Sequence, residues 1–284
     1  MVLELTALLE PFYNFFGHFY EPLFLRRAAF ALLLLAPISA AAGVLVVNQR
    51  MAFFADAVGH SVFAGVALAL VLNLSEKPVV LGFSILIGLL VIYLSRHSRL
   101  AADTVIGLVF SGAIALGLAI VSRNPGTAKG LSRFFLGDVL TVGETEIAAL
   151  IILAFLTLGF LLLFFNHLTL ESLSPVLARS RKPLKSRFAP YIFGIFLALV
   201  VTVSVWSVGV LLVTALLVAP AAAGRNWAAS ASSMFWAAII ISTVSGQTGL
   251  YLSSLPQINT ATGASVVLVA VSLFILSYFT RRRN

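Results

Sequence analysis

Long apolar runs separated by short polar connections dominate the chain. A membrane-spanning α-helix needs about 20 apolar residues, and nine runs approach or exceed that length. They lie at 28–47, 53–74, 79–95, 104–121, 147–165, 191–205, 208–223, 227–251 and 263–279. A shorter apolar piece at 131–142, interrupted by Gly137 and Asp138, predicts a re-entrant segment that does not cross. The pattern predicts an all-α integral membrane protein, a bundle of eight or nine membrane-spanning helices.

Composition agrees with this prediction. Of the 284 residues, 61% are hydrophobic and only 10% are charged, whereas soluble domains are about 25% charged. Residues 1–25 are rich in aromatic side chains and are broken by two prolines. They predict an interfacial segment without the features of a cleavable signal peptide. We expect residues 26–284 to form a single transmembrane domain.

The absence of cysteine narrows the possible chemistry. With no cysteine in the sequence, disulfides, thiolate metal ligands and a cysteine nucleophile are all excluded.

The fourth predicted span carries small residues four positions apart. Gly107, Ser111, Ala115 and Ala119 fall on one side of a helix. Because small residues let helix backbones approach closely, we expect this span to be buried in the bundle.

The basic residues lie in the connections between the apolar runs. The net charge of +8 and the pI near 10.3 therefore reflect membrane orientation better than nucleic-acid binding. With nine spans the two termini lie on opposite sides. If the C-terminus is cytoplasmic, the cytoplasmic connections receive about twice as many lysines and arginines as the others. We therefore predict a cytoplasmic C-terminus.

The most informative polar residues are Asp56 and His60, at the start of the second run. A helix stacks residues four apart on one face, so a carboxylate oxygen and an imidazole nitrogen can converge on one point. One interpretation is a local hydrogen bond between them, or an ion pair of Asp56 with Arg50. The other is a transient site for Zn²⁺, Mn²⁺ or Fe²⁺. Two ligands are too few for a closed site, so the second interpretation needs another copy of the chain.

The connection at about 167–188 is the longest polar one and is strongly basic. One interpretation is a solvated cytoplasmic loop. Another is an amphipathic helix at about 175–181 that lies along the membrane surface and docks a soluble partner. The sequence contains no Gly-x-x-x-x-Gly-Lys-Ser/Thr loop. Any ATP hydrolysis must therefore be performed by another polypeptide.

The remaining candidates have simpler interpretations. His18, His97 and His167 fall in interfacial or loop segments, where structural roles are expected. Asp103 stands at a helix start, where an acid is favourable. Asp138 either caps a helix or lines an outer vestibule.

Two other classes of protein fit the sequence less well. A secondary transporter or channel, the main alternative, typically has inverted repeats and several intramembrane ionisable groups, and only one strong pair is visible here. An intramembrane metal-dependent hydrolase needs about three protein ligands, and the four histidines are scattered.

Four motifs give the sequence a family resemblance. They occur in order at 51–61, 102–112, 135–140 and 210–222. The sequence resembles the integral-membrane permeases of bacterial zinc and manganese/iron ABC importers, the ZnuB-like family. The resemblance implies a homodimeric permease in the bacterial inner membrane, with a metal pathway on the dimer axis. It also implies two cytoplasmic ATPase subunits and a periplasmic or lipoprotein metal-binding protein as partners.

The same resemblance assigns site residues and substrate. It maps the Asp-x-x-x-His ligands of the family onto Asp56 and His60. It maps the ATPase-coupling segment onto Ser174, Pro175, Ala178, Arg179 and Arg181. Zn²⁺, or else Mn²⁺ or Fe²⁺, is implied as transported substrate, with no cofactor bound by this chain and ATP used by the partner. The sequence departs from the family at Gly59, where Ser or Ala is common, and in its more basic coupling segment.

Overall fold

The computed structural model describes residues 10–11, 13–17, 20–123, 139–258 and 260–281. Within these residues the secondary structure is helical, without strands. The helices are α1 Leu23–Asn48, α2 Phe54–Leu72, α3 Glu76–His97, α4 Ala102–Arg123, α5 Glu144–Leu173, α6 Pro175–Arg181, α7 Pro183–Val208, α8 Val210–Trp227, α9 Ala231–Ser254 and α10 Thr262–Phe279, with a 3₁₀ turn at Val139–Thr141.

Nine helices in the described part of the chain are long and apolar enough to cross a membrane. They are all of the helices except the short α6, and they confirm the predicted multi-span helical bundle. The predicted re-entrant segment at 131–142 lies mostly outside the described residues and stays a prediction. Its last residues include the 3₁₀ turn, with Val139 and Val142 buried.

The helix ends differ from the predicted ones where the chain is polar. The helix α5 continues to Leu173 and α7 already begins at Pro183, so the connection at 167–188 is mostly helical. The connection is therefore helical rather than a loop, and its position on the cytoplasmic side stays a prediction. An apolar run marks the part of a helix that lipid can surround, whereas backbone hydrogen bonds carry the helix beyond it.

Two breaks in the helical path have clear local causes. Gly209 separates α7 from α8 with a φ of 92°, a conformation that glycine adopts without a steric penalty. Asn73 closes α2 in the left-handed conformation, and its N–H points to the carbonyls of Ala69 and Leu70. Asparagine is among the few residues that tolerate this position.

The described chain packs as two compact units. The first contains the described residues of Met1–Val44, Gly137–Leu156 and Trp206–Asn284, and the second those of Leu45–Leu136 and Thr157–Val205. The boundaries fall inside α1, α5 and α7. The prediction of a single transmembrane domain stays a prediction.

In the first unit, α8, α9 and α10 pack against one another, and α1 approaches α8 very closely. A Cβ on Gly43 would overlap the carbonyl oxygen of Leu217. In the same unit, Gln247 donates to the carbonyl oxygen of Ala29 over 2.9 Å. Backbone-to-backbone approach at a glycine is typical of membrane helices, which lack a hydrophobic driving force between them.

In the second unit, α2 packs against α3 and α4. Gly117 of α4 lies against the ring of Phe63 and the backbone of Ala64. On the other side, Gly65 of α2 faces Val80 of α3. The helix α2 therefore occupies the middle of this group of three, and its buried residues are mostly small.

The prediction that the small residues of the fourth span are buried is wrong for the single chain. Gly107, Ser111, Ala115 and Ala119 are all exposed. The reason is that α4 turns its other side, which includes Gly117, towards α2. The spacing of small residues identified a face suited to close packing, but no described helix covers it.

Candidate functional site

A tight reversal of the chain sets the position of Asp56. After α1 ends, Arg50 takes a left-handed conformation with a φ of 56°. The N–H of Met51 donates to the carbonyl oxygen of Val46 over 3.0 Å. The helix α2 then begins at Phe54, so Asp56 lies in its first turn. The N-terminal end of a helix dipole stabilises a carboxylate at this position.

Asp56 and His60 lie one turn apart on the side of α2 that its neighbours leave partly open. Both side chains are half-buried, whereas Ala57, Val58 and Gly59 between them are buried. The carboxylate of Asp56 is close enough to act electrostatically on His60. The helix α2 therefore places Asp56 and His60 on one face, as the spacing of four residues predicted.

The ring of His60 packs edge-on against the ring of Phe110 in α4. Their centroids are 5.2 Å apart with an interplanar angle of 83°. The neighbouring helix α4 of the same chain thus packs against one side of the imidazole. It is the same helix whose small residues are exposed.

An imidazole nitrogen and a carboxylate oxygen form a donor set for a transition-metal ion. Tetrahedral or higher coordination needs further ligands. Among the described residues no group of three or more His, Asp and Glu side chains is placed to hold a metal. The described residues therefore offer two candidate ligands, Asp56 and His60, and no closed metal site.

The predicted coupling residues form the short helix α6, whose bounds are Pro175–Arg181. The hydroxyl oxygen of Ser174 caps it by accepting from the N–H of Leu177 over 3.4 Å. Pro175 occupies the first position, where its missing N–H has no consequence. Ala178 is fully buried and seats the helix, while Arg179 and Arg181 are exposed.

Two exposed side chains of α6 are apolar, and neither was singled out from the sequence. Val176 is 76% exposed and Leu177 is 54% exposed. The other exposed residues of the helix are Pro175, Arg179, Ser180 and Arg181. Valine and leucine are a weak signal in the sequence because apolar residues are common throughout the chain.

The end of α5, just before α6, is held by two polar contacts. The guanidinium of Arg96 at the end of α3 binds the buried carboxylate of Glu171 over 2.5 Å. Gln49 donates to the carbonyl oxygen of Leu168 over 3.0 Å. These contacts fix where α6 begins relative to α3 and to the chain reversal before Asp56.

The sequence between residues 21 and 281 matches the model of the ABC 3 transport family. The chain belongs to this family. A member from Haemophilus influenzae, the high-affinity zinc uptake system membrane protein ZnuB, is 32% identical over 251 residues, which cover 88% of this chain and 95% of the relative. The manganese import system permease protein ScaB of Streptococcus gordonii is 29% identical over 256 residues, which cover 90% of this chain and 91% of the relative.

A solved structure shares the fold of this ABC 3 family member. It is that of PsaBC from Streptococcus pneumoniae in complex with Fab, with a TM-score of 0.78 and 26% identity. The match covers 100% of this chain and 97% of the other. The resemblance seen in the four motifs is confirmed. The chain is a multi-pass membrane permease of an ABC transporter, and the alternative of a secondary transporter or channel is set aside.

Proposed function

We propose that this permease imports a divalent transition metal, with zinc the first candidate and Mn²⁺ or Fe²⁺ the others. The observation that supports this most directly is the pairing of Asp56 and His60 on the partly open side of α2. The names of the relatives point the same way, since they are a zinc uptake protein and a manganese import protein.

The chemistry of the pair favours transition metals over alkali cations. Imidazole suits zinc and ferrous iron and a carboxylate suits manganese, whereas alkali and alkaline-earth cations prefer oxygen ligands alone. The pair does not discriminate strongly among the three metals. Selectivity would then rest on a periplasmic or lipoprotein metal-binding protein that delivers the ion. We propose such a protein as a partner of the permease.

We also propose that the permease works as a homodimer, in which the exposed small face of α4 packs against the same face of a second copy. A twofold interface is self-complementary, so one patch serves both chains. Small side chains allow the close approach that stabilises helix pairs in a membrane. Because Phe110 of α4 touches His60, this pairing would bring two Asp56/His60 pairs to one pathway.

A single introduced cysteine tests this interface, because the chain has none of its own. Ser111→Cys is expected to form a disulfide-linked dimer under mild oxidation in membranes, detected on a non-reducing gel. Gly159→Cys is the matched control, since Gly159 is exposed on α5 with no atom near its missing Cβ. Equal cross-linking of the two variants would contradict α4 as the interface.

For the ATPase we propose α6 as the docking element. Its exposed side chains Val176 and Leu177 would enter an apolar groove of the ATPase, with Arg181 beside them one turn after Leu177. From the positive-inside pattern we propose that the permease lies in a bacterial cell membrane with α6 and the C-terminus on the cytoplasmic side.

We expect Val176→Asp combined with Leu177→Asp to reduce co-purification of the ATPase about tenfold or more, since anchors in an interface typically contribute about 2 kcal/mol each. Ile258→Asp serves as the control, because Ile258 is an exposed apolar residue in the α9–α10 connection. If the double variant recovers as much ATPase as the wild type, α6 does not dock the ATPase and is only a solvated surface helix.

A further inference from the structure

A cleft of about 630 Å³ opens in the second unit among the ends of α3 and α5, α6, and the beginning of α7. Its walls carry Arg96, Arg179, Arg187 and Glu171. None of these residues belongs to the Asp56/His60 pair. The cleft is therefore separate from that pair, although it adjoins α6 through Pro175 and Arg179.

The cleft has an excess of positive charge. Glu171 is bound to Arg96, and those two charges offset each other. Within the described residues, neither Arg179 nor Arg187 forms an ion pair. Arg179 and Arg187 thus line the cleft without a described counter-ion, and the guanidinium of Arg187 lies 5.8 Å from the centroid of the Phe188 ring. A guanidinium offers a planar pair of N–H donors that matches two oxygens of a phosphate group.

Two exposed apolar stripes lead away from the cleft. On α3 the stripe consists of Leu86, Leu90 and Tyr93, and on α7 it includes Phe188 and Ile192. The spacings of three and four residues place each set on one face of its helix. Both helices are candidate membrane spans, so the stripes lie where acyl chains can cover them.

Aromatic side chains mark the junction between the charged cleft and the apolar stripes. Tyr93 and Tyr191 both line the cleft. Tyrosine is enriched at the level of lipid headgroups, where its ring contacts acyl chains and its hydroxyl faces polar groups. From the cleft outwards, the protein presents arginines, then tyrosines, then apolar side chains. A phospholipid presents its phosphate, its glycerol and its acyl chains in the same order.

We propose that this cleft binds an anionic phospholipid, with its phosphate between Arg179 and Arg187 and its acyl chains along the two stripes. Basic pockets between membrane helices on the cytoplasmic side commonly bind anionic headgroups. A free phosphate would share the guanidinium contacts but would leave the stripes uncovered. Since Arg179 belongs to α6, the lipid would hold this helix against the membrane. The site does not depend on which ion the permease carries.

The test measures lipid binding by the purified full chain together with its ATPase. Phosphatidylglycerol, phosphatidylcholine and inorganic phosphate are added in turn, and native mass spectrometry and the unfolding temperature report binding. We expect phosphatidylglycerol to be retained and to raise the unfolding temperature, with little effect from the other two. Arg187→Gln, alone and combined with Arg179→Gln, is expected to weaken phosphatidylglycerol binding about fivefold for each arginine removed.

Two further variants control for general charge and for folding. Arg99→Gln removes an exposed arginine in the connection after α3 that does not line the cleft, and it is expected to bind phosphatidylglycerol like the wild type. Arg187→Lys keeps the charge without the two-donor geometry, and it is expected to bind with intermediate affinity. Equal loss with Arg99→Gln, equal retention of phosphatidylcholine, or stabilisation by inorganic phosphate alone would overturn the proposal.

Discussion

Replacing Asp56 or His60 with alanine is expected to reduce ATP-driven Zn²⁺ uptake to background in proteoliposomes that contain the whole transporter. Each substitution removes one of the two donors that the chain offers to an ion. If two copies share the site, a single substitution removes two ligands at once. The ATPase should still co-purify at wild-type level, because the pair lies on α2 and not on α6, the helix proposed to dock the ATPase.

The matched control for the histidine is His97→Ala. The ring of His97 stacks on Tyr93 at the end of α3 and lies outside the pair. Its loss should leave uptake close to that of the wild type. Full uptake with both Asp56→Ala and His60→Ala would contradict the assignment of the pair as the metal site.

The second large effect is expected from Gly43→Ala. The added methyl group would overlap a backbone oxygen of α8, at Leu217, and a backbone atom cannot move aside as a side chain can. Overpacking typically costs about 1–3 kcal/mol and sometimes more, and a backbone clash belongs at the upper end. We expect little monodisperse protein and a markedly lower unfolding temperature.

Gly82→Ala is the control for this prediction. No atom lies within 4 Å of the Cβ position of Gly82 in α3, and alanine is favoured over glycine in a helix by about 1 kcal/mol. This variant should be as stable as the wild type or slightly more stable. If the two alanine variants have the same unfolding temperature, the close approach of α1 to α8 is not what requires glycine at position 43.

The number and order of the membrane helices follow from apolar content alone, but their ends do not. The extension of α5 to Leu173 depends on contacts such as the one between Arg96 and Glu171. Those two residues lie far apart in sequence. Hydropathy reports whether a segment dissolves in lipid, and it carries no information about a tertiary ion pair at the end of a helix.

The small residues of α4 show a different limit. Their spacing indicates a face for close packing, and we expected the partner to be a helix of the same chain. The described chain instead leaves Ser111 and its neighbours exposed. A sequence pattern encodes the shape of a helix face but not the identity of the chain that covers it.

Among candidate site residues, the Asp56/His60 pair stands out in the sequence because ionisable side chains are rare and costly within a membrane span. Val176 and Leu177, the proposed anchors, do not stand out, because leucine and valine are common throughout the chain. The basic cleft is also invisible in the sequence, since the fold brings together Arg96 and Arg187 from different helices.

Two permease chains are proposed to share one metal site built from Asp56 and His60. The most direct measurement is the number of Zn²⁺ ions that the purified transporter binds at equilibrium. We predict one ion for every two permease chains in the wild type and none at the same concentration with His60→Ala. Binding of one ion per chain, or undiminished binding by the variant, would contradict the claim.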